Sequence, residues 1–150
     1  MKITTIALLL SICCVIQLEA QAPDTARYIS LEPYDFHLQY LRADSAILID
    51  VREPFEFRGR RIREAVNIPS SGNIMRAADT LKKHYSVFLY CTTDFRSRKA
   101  AGMLFDKGFR RLFNLEGGIV AWKKDGMPVM KGTGHRAQGE GRRTTKGRRD

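Results

Sequence analysis

Short apolar runs alternate with segments of helical periodicity through the middle of the chain. Ala46-Ile-Leu-Ile-Asp-Val51, Ser86-Val-Phe-Leu-Tyr90 and Leu112-Phe-Asn-Leu115 are nearly continuous apolar stretches, the pattern of strands buried on both faces. A helical segment is predicted after each: Met75 to His84, Arg96 to Lys107, and Gly118 to Lys124. The second places Ala100, Ala101, Leu104 and Phe105 on one face, with Gly108 positioned to stop it. Strands alternating with helices predict an α/β domain whose mostly parallel sheet is covered on both sides. Ligands bind such sheets beyond the carboxyl ends of the strands.

Both ends of the chain break the pattern. Lys2 is followed by an apolar run from Ile6 to Ile16, whose only polar member is Ser11, and small residues stand at Ala20 and Ala22. The run falls short of the about 20 residues a membrane-spanning helix needs, and the layout is that of a secretory signal over residues 1–20. Cleavage after Ala20 is favoured, since a cut after Ala22 would be followed directly by Pro23. At the other end, residues 131–150 carry seven basic and two acidic side chains, and Ala137 is the sole apolar residue after Lys131. A segment of that composition cannot bury enough apolar surface to offset its ordering entropy, so a disordered basic tail is expected. Residues 21–130 then form the single domain; roughly 110 residues suffice for one core and exclude a second.

Charge adds less than its size suggests. The net charge is +10; the tail supplies +5 of it, Lys2 and Glu19 cancel, and the body carries the remaining +5. The tail could meet phosphates or an anionic membrane surface. It has no interleaved aromatic residue for base stacking, and with an export signal present nucleic acid is not an expected partner. His37, His84 and His135 match no metal-ligand spacing, and the sequence carries no cofactor motif.

Cysteine usage is more informative. Cys13 and Cys14 lie in the signal segment, so the mature chain would keep only Cys91 and could form no internal disulfide. A lone cysteine is commonly a small buried hydrophobe. Cys91, however, follows the strand ending at Tyr90 by one residue, and the next helix begins within about five residues. Its sulfur is therefore expected at the ligand-binding edge facing a helix amino terminus, where backbone N–H groups and the helix dipole favour an anion. Arg96, Arg98 and Lys99 fall in that first turn, where the dipole disfavours cations. An anion nearby would explain Arg96, whereas Arg98 and Lys99 could equally face solvent.

Several separated motifs now agree. Leu48-Ile-Asp-Val-Arg-Glu-Pro54, Phe55-Glu56, Ala65-Val-Asn-Ile-Pro69, Tyr90-Cys91 with Arg96-Ser97, and Asn114-Leu-Glu-Gly-Gly-Ile119 with Ala121-Trp122 together resemble the rhodanese family from about Tyr28 to Val129. The resemblance implies a rhodanese-like α/β fold, a five-stranded parallel sheet flanked by helices on both faces. It also implies a sulfurtransferase with Cys91 as nucleophile and persulfide carrier, its sulfur wrapped by the substrate-binding loop Thr92, Thr93, Asp94, Phe95 and Arg96. Four residues separate Cys91 from Arg96, as in the family's sulfur-transferring members, whereas related phosphatases and arsenate reductases have five. Three places depart from the family pattern, the first being Thr92, where the family's thiosulfate users commonly carry a basic residue. Asp94 stands where the loop has glycine, and Arg60-Arg-Ile-Arg-Glu-Ala65 replaces the Gly-His-Ile-Pro-Gly-Ala stretch. Asp tolerates a left-handed backbone and is a good helix N-cap, but it adds negative charge beside an anionic site.

The expected activity is an exported, periplasmic or secreted, sulfurtransferase. It would take sulfane sulfur from thiosulfate, a polysulfide or a persulfide, a protein persulfide included, and pass it to a thiol, cyanide or sulfite. The alternatives are a catalytically silent rhodanese-like binding module, in which Asp94 has spoiled the loop, and a thiol redox protein, which would need a resolving cysteine on a partner. Bland roles are expected elsewhere: Arg52 in an ion pair with Glu56, and Trp122 packed under the Gly117-Gly118 turn.

Overall fold

In the computed structural model the described residues are 27–131; the expected signal segment 1–20 and tail residues 132–150 lie outside them. The strands are β1 (Ile29–Leu31), β2 (Ala46–Asp50), β3 (Arg60–Arg61), β4 (Val66–Asn67), β5 (Ser86–Tyr90), β6 (Leu112–Leu115) and β7 (Met130–Lys131). The helices are α1 (Pro33–Arg42), α2 (Pro54–Gly59), α3 (Ser71–Thr80), α4 (Phe95–Asp106) and α5 (Gly118–Lys124). Five strands form one sheet in the order β1-β6-β5-β2-β4, every pairing parallel. A two-residue antiparallel ribbon joins β3 to β7, so that Lys131, at the start of the expected tail, pairs with Arg60.

β5 is the central strand and all five of its residues are buried. Alternation splits its side chains between two cores. Val87 and Leu89 join Ile49, Val51, Ile74, Ala101 and Leu104 on the α3/α4 side. Phe88 and Tyr90 join Phe36, Leu48, Leu115 and Trp122 on the α1/α5 side, where Phe88 stacks on Phe113 with centroids 4.6 Å apart. Continuing the alternation, Cys91 belongs to the α3/α4 side.

The three strands and the third helix lie within a residue of where the apolar pattern puts them. α4 begins at Phe95, presents Ala100, Ala101 and Leu104 to the core, and ends before Gly108, which takes φ 93°. α3 differs from the Met75–His84 expectation by starting four residues earlier and ending four earlier. Ser70 is its N-cap, and the helix buries Ile74 and Ala78. Beyond Thr80, Lys82, Lys83 and His84 have no apolar surface to add, so Leu81 turns to extended backbone and leads the chain to β5. The short elements β1, α1, α2 and β4 carry too little periodicity to be read from pattern alone. α1 and α2 each begin on a proline whose fixed φ suits the first helical position.

Candidate active site

The carboxyl ends of β2 and β5 lie side by side, Asp50 in register with Tyr90 and the Val51 N–H donating to the Tyr90 carbonyl at 3.1 Å. Cys91 follows directly and is 1% exposed. Two buried charges brace this edge. The Arg52 guanidinium turns back on the Asp50 carboxylate, with Nη2 to Oδ2 at 2.6 Å and Nε to Oδ1 at 3.0 Å, and also donates to the Arg60 carbonyl. Burial works against the charge of Arg52, but its hydrogen bonds to Asp50 outweigh that and hold the guanidinium protonated. The expected pair of Arg52 with Glu56 does not form. α2 starts only at Pro54, so residues 52 and 56 do not share a helical face. Burial, then the Asp50 charge, raises the Tyr90 hydroxyl far above the ordinary phenol range, and that hydroxyl accepts the Ile62 N–H at 3.1 Å.

The loop after Cys91 is held from the far side by α5. The N–H groups of Ile119 and Val120 donate to the carbonyls of Cys91 (2.9 Å) and Thr92 (3.2 Å). Since C=O and N–H point oppositely across a trans peptide, the Thr92 and Thr93 N–H groups are turned away from α5. Gly118 makes this approach feasible: at φ 59°, a Cβ there would lie 2.5 Å from the Thr92 carbonyl oxygen. Trp122 is buried beneath the same turn and donates from Nε1 to the Pro128 carbonyl at 2.9 Å, as its expected packing role requires.

Asp94 adopts φ 85°, so the left-handed conformation its family position implies is kept without glycine. It is the N-cap of α4 by position, but its side chain makes no cap bond there; its Oδ2 instead accepts the Gly117 N–H at 3.2 Å. The expected N-cap bond to α4 is therefore replaced by a tie between the two loops. Glu64, at the second glycine of the Gly-His-Ile-Pro-Gly-Ala stretch, likewise takes φ 65°. Inside α4, the buried Ser97 hydroxyl donates to Asn114 Oδ1 at 2.7 Å, and Asn114 Nδ2 donates to Ser30 Oγ. This network fastens the start of the helix to β6 and β1.

Arg96 reaches across to α2. Its Nη1 and Nη2 lie 2.8 and 3.0 Å from the two oxygens of Glu56, which also accepts the Thr92 hydroxyl at 2.7 Å and the Glu53 N–H at 3.0 Å. Arg96 first, and then Thr92 and the Glu53 N–H, hold the Glu56 carboxyl down at about 2 against partial burial. Glu56 in turn keeps Arg96 charged, with a smaller contribution from Cys91. The i, i+4 spacing of Arg52 and Glu56 points to the wrong arginine, because a contact between residues 40 positions apart leaves no local signal. Of the remaining loop residues, Thr93 and Phe95 are exposed. Arg98 departs from the site, its Nε donating to the Tyr28 hydroxyl, while Lys99 borders a cavity beside Arg96. Among the described residues no group of three His, Cys, Asp or Glu side chains could hold a metal ion, and no helix is long and apolar enough to cross a membrane.

A buried cysteine at the carboxyl end of a central parallel strand, followed after four residues by an arginine, is the arrangement the sequence motifs imply. The rhodanese-like domain family matches this chain over residues 35–125. The chain belongs to that family. Among solved structures, a rhodanese-related protein of Thermoplasma volcanium is 29% identical and superposes with a TM-score of 0.61, covering 69% of this chain and 99% of that one. A sulfurtransferase of Allochromatium vinosum is 32% identical over 87 residues, 58% of this chain and 80% of that protein. A tRNA uridine(34) hydroxylase of Staphylococcus carnosus is 35% identical over 114 residues, only 34% of its own length. The chain also spans about half, 52%, of an uncharacterized Synechocystis relative that is 39% identical over 95 residues. Rhodanese-like domains thus occur both nearly alone and inside longer proteins.

Proposed function

We propose that this rhodanese-like domain is a sulfurtransferase that carries sulfane sulfur as a persulfide on Cys91. The observation that carries the reading is the placement of Cys91, the single cysteine among the described residues, between the end of β5 and a loop whose carbonyls are committed to α5. N–H groups turned away from those carbonyls, together with the charged Arg96, would stabilise an anionic sulfur. In the first step the Cys91 thiolate attacks the outer sulfur of the donor. A Cys91–sulfur bond forms, the donor's sulfur–sulfur bond breaks, and its electron pair leaves on a thiolate or sulfite. In the second step an acceptor thiol, cyanide or sulfite attacks the outer sulfur and Cys91 leaves as thiolate, which restores the enzyme and predicts ping-pong kinetics. The left-handed Asp94 supports an intact loop over the alternative of a silent binding module. We further propose that residues 1–20 export the domain to the periplasm or exterior.

Intact mass before and after incubation with a sulfur donor, then with dithiothreitol or cyanide, tests the mechanism. Parent protein should gain one sulfur atom and lose it again, and Cys91→Ser should fold normally but gain none. Equal transfer by the serine variant would overturn the assignment, and a folded parent that no donor loads would favour the binding module.

A further inference from the structure

The ribbon that joins β3 to β7 lies outside the site described above and carries an unbalanced charge. Arg60 stands directly opposite Lys131 in its register, and both are exposed. Like charges facing each other across a strand pair are destabilising. Arg58 near the end of α2 and Arg63 just beyond β3 are exposed as well. None of these four cations has an acidic partner among the described residues. The acids of α2 and of the turn after β3 are engaged elsewhere: Glu53 in the capping box, Glu56 with Arg96 and Glu64 with the Tyr40 hydroxyl.

This patch is a property of the chain and not of its fold, since Arg60, Arg61 and Arg63 fall in the stretch where the family has Gly-His-Ile-Pro-Gly-Ala. A charged edge discourages pairing with other strands, but a glutamate opposite Lys131 would serve that end and also gain an ion pair. Cations on both strands point instead to an anion supplied from outside. The Arg60 side chain is available to meet it, because Arg52 uses only the Arg60 carbonyl, at 2.6 Å. Arg61 lies over the Phe57 ring, 5.0 Å from its centroid, and anchors the ribbon to α2.

The sequence beyond the ribbon narrows the kind of anion. After Lys131 the chain runs on for 19 residues with six more basic side chains and only two acidic ones. A single phosphate could satisfy Arg60 and Lys131 and would leave those unused, whereas an extended anionic face can engage both. Nucleic acid is poorly matched, because the 19 residues hold no aromatic side chain for stacking on bases and Phe57 is already covered by Arg61. A bilayer needs no stacking and accepts apolar side chains between its headgroups. Met130, opposite Arg61 in the ribbon, supplies one at 40% exposure.

We propose that the β3/β7 ribbon, together with the basic segment that follows it, docks the domain on an anionic phospholipid surface. Arg58, Arg60, Arg63 and Lys131 meet headgroup phosphates, and Met130 enters between them. The docking is independent of the chemistry at Cys91.

Co-sedimentation of the full chain with two kinds of vesicle tests this, one of phosphatidylcholine alone and one of three parts phosphatidylcholine to one part phosphatidylglycerol. Neutral vesicles register whatever the apolar run Ile6 to Ile16 contributes, so the ratio of the two affinities is the reading. The parent should prefer the anionic vesicles by about tenfold or more and lose that preference as salt is raised. The Arg60→Gln, Lys131→Gln double variant should cut the preference by about tenfold or more, and Arg142→Gln with Arg143→Gln by a similar factor. Arg60→Glu should also cut it while melting no lower than the parent, since a carboxylate there would pair across the ribbon with Lys131. Three results would overturn the docking: equal binding of the parent to both vesicles, an unchanged preference in the folded ribbon variants, or tighter binding to duplex DNA or polyglutamate than to anionic vesicles at the same salt.

Discussion

Arg96 and Glu56 face each other in a two-point pair, Nη1 to Oε2 at 2.8 Å and Nη2 to Oε1 at 3.0 Å, and so tie the loop after β5 to the helix after β2. The Thr92 hydroxyl closes the ring, donating to Glu56 and accepting from Arg96 at 2.8 Å. The loop's arginine is thereby oriented by a residue on another element. A planar guanidinium can satisfy both carboxylate oxygens, whereas an ammonium cannot.

Glu56→Gln and Arg96→Lys should each lower sulfur-transfer kcat/KM by roughly tenfold or more, since about 1.4 kcal/mol of lost orientation accounts for one decade. The pair is partly exposed, with Arg96 39% accessible, so folding stability should fall by only about 1 kcal/mol or less. Donor kinetics set beside urea denaturation check the two effects separately; a stability loss that accounts for the whole activity loss would refute an orienting role.

Acid should loosen the same ring. The Glu56 carboxyl lies at about 2 in the folded protein against an ordinary 4.5, so its stabilising contribution is fully present above about 4.5 and is lost as pH falls toward about 2. The parent's unfolding midpoint should therefore drop more steeply across that interval than the midpoint of Glu56→Gln, which has no carboxyl there to protonate. Parallel slopes in thermal melts between those two pH values would contradict the assignment.

Asp94 combines a left-handed backbone with a hydrogen bond to the Gly117 N–H. Asp94→Gly relieves about 1 kcal/mol of conformational cost and gives up about 1 kcal/mol of hydrogen bond, so its stability should stay close to the parent's. Asp94→Ala loses the bond and keeps the strain, and should be less stable than Asp94→Gly by about 1 kcal/mol. The carboxylate is turned toward Gly117 and α5, away from the loop N–H groups, so the glycine variant should change the ratio of thiosulfate to persulfide turnover little. Denaturation midpoints and the kcat/KM ratio read both effects, and a large rise in that ratio would show that Asp94 does not act only through the loop's shape.

Gly118→Ala meets backbone rather than a movable side chain: its Cβ would lie 2.5 Å from the Thr92 oxygen and 2.6 Å from the Cys91 oxygen. Either α5 or the loop must shift, and the residue is also strained at φ 59°. A loss of at least about 2 kcal/mol, accompanied by reduced sulfur loading of Cys91, is expected in calorimetry and intact mass. Full loading at parental stability would show that the loop does not depend on the α5 contact.

Much of the frame is determined by local chemistry in the chain. Strands β2, β5 and β6 are continuous apolar runs that cannot be solvated, and Ala100, Ala101 and Leu104 recur at helical spacing, so parallel strands and covering helices follow from burial alone. The position of Cys91 one residue past β5 is likewise legible, since strand ends are marked where the apolar run stops. The tertiary structure decided three other things. Glu56 belongs to Arg96 and not to Arg52, because a pairing across 40 residues depends on which strand ends become neighbours in the sheet. The Asp94 carboxylate binds Gly117 and does not cap its own helix, because the left-handed turn aims it at α5. The cavity bordered by Phe95 and Arg96 exists only where the end of β2, α3 and α4 converge, and three elements distant in sequence leave no periodicity from which their common surface could be read.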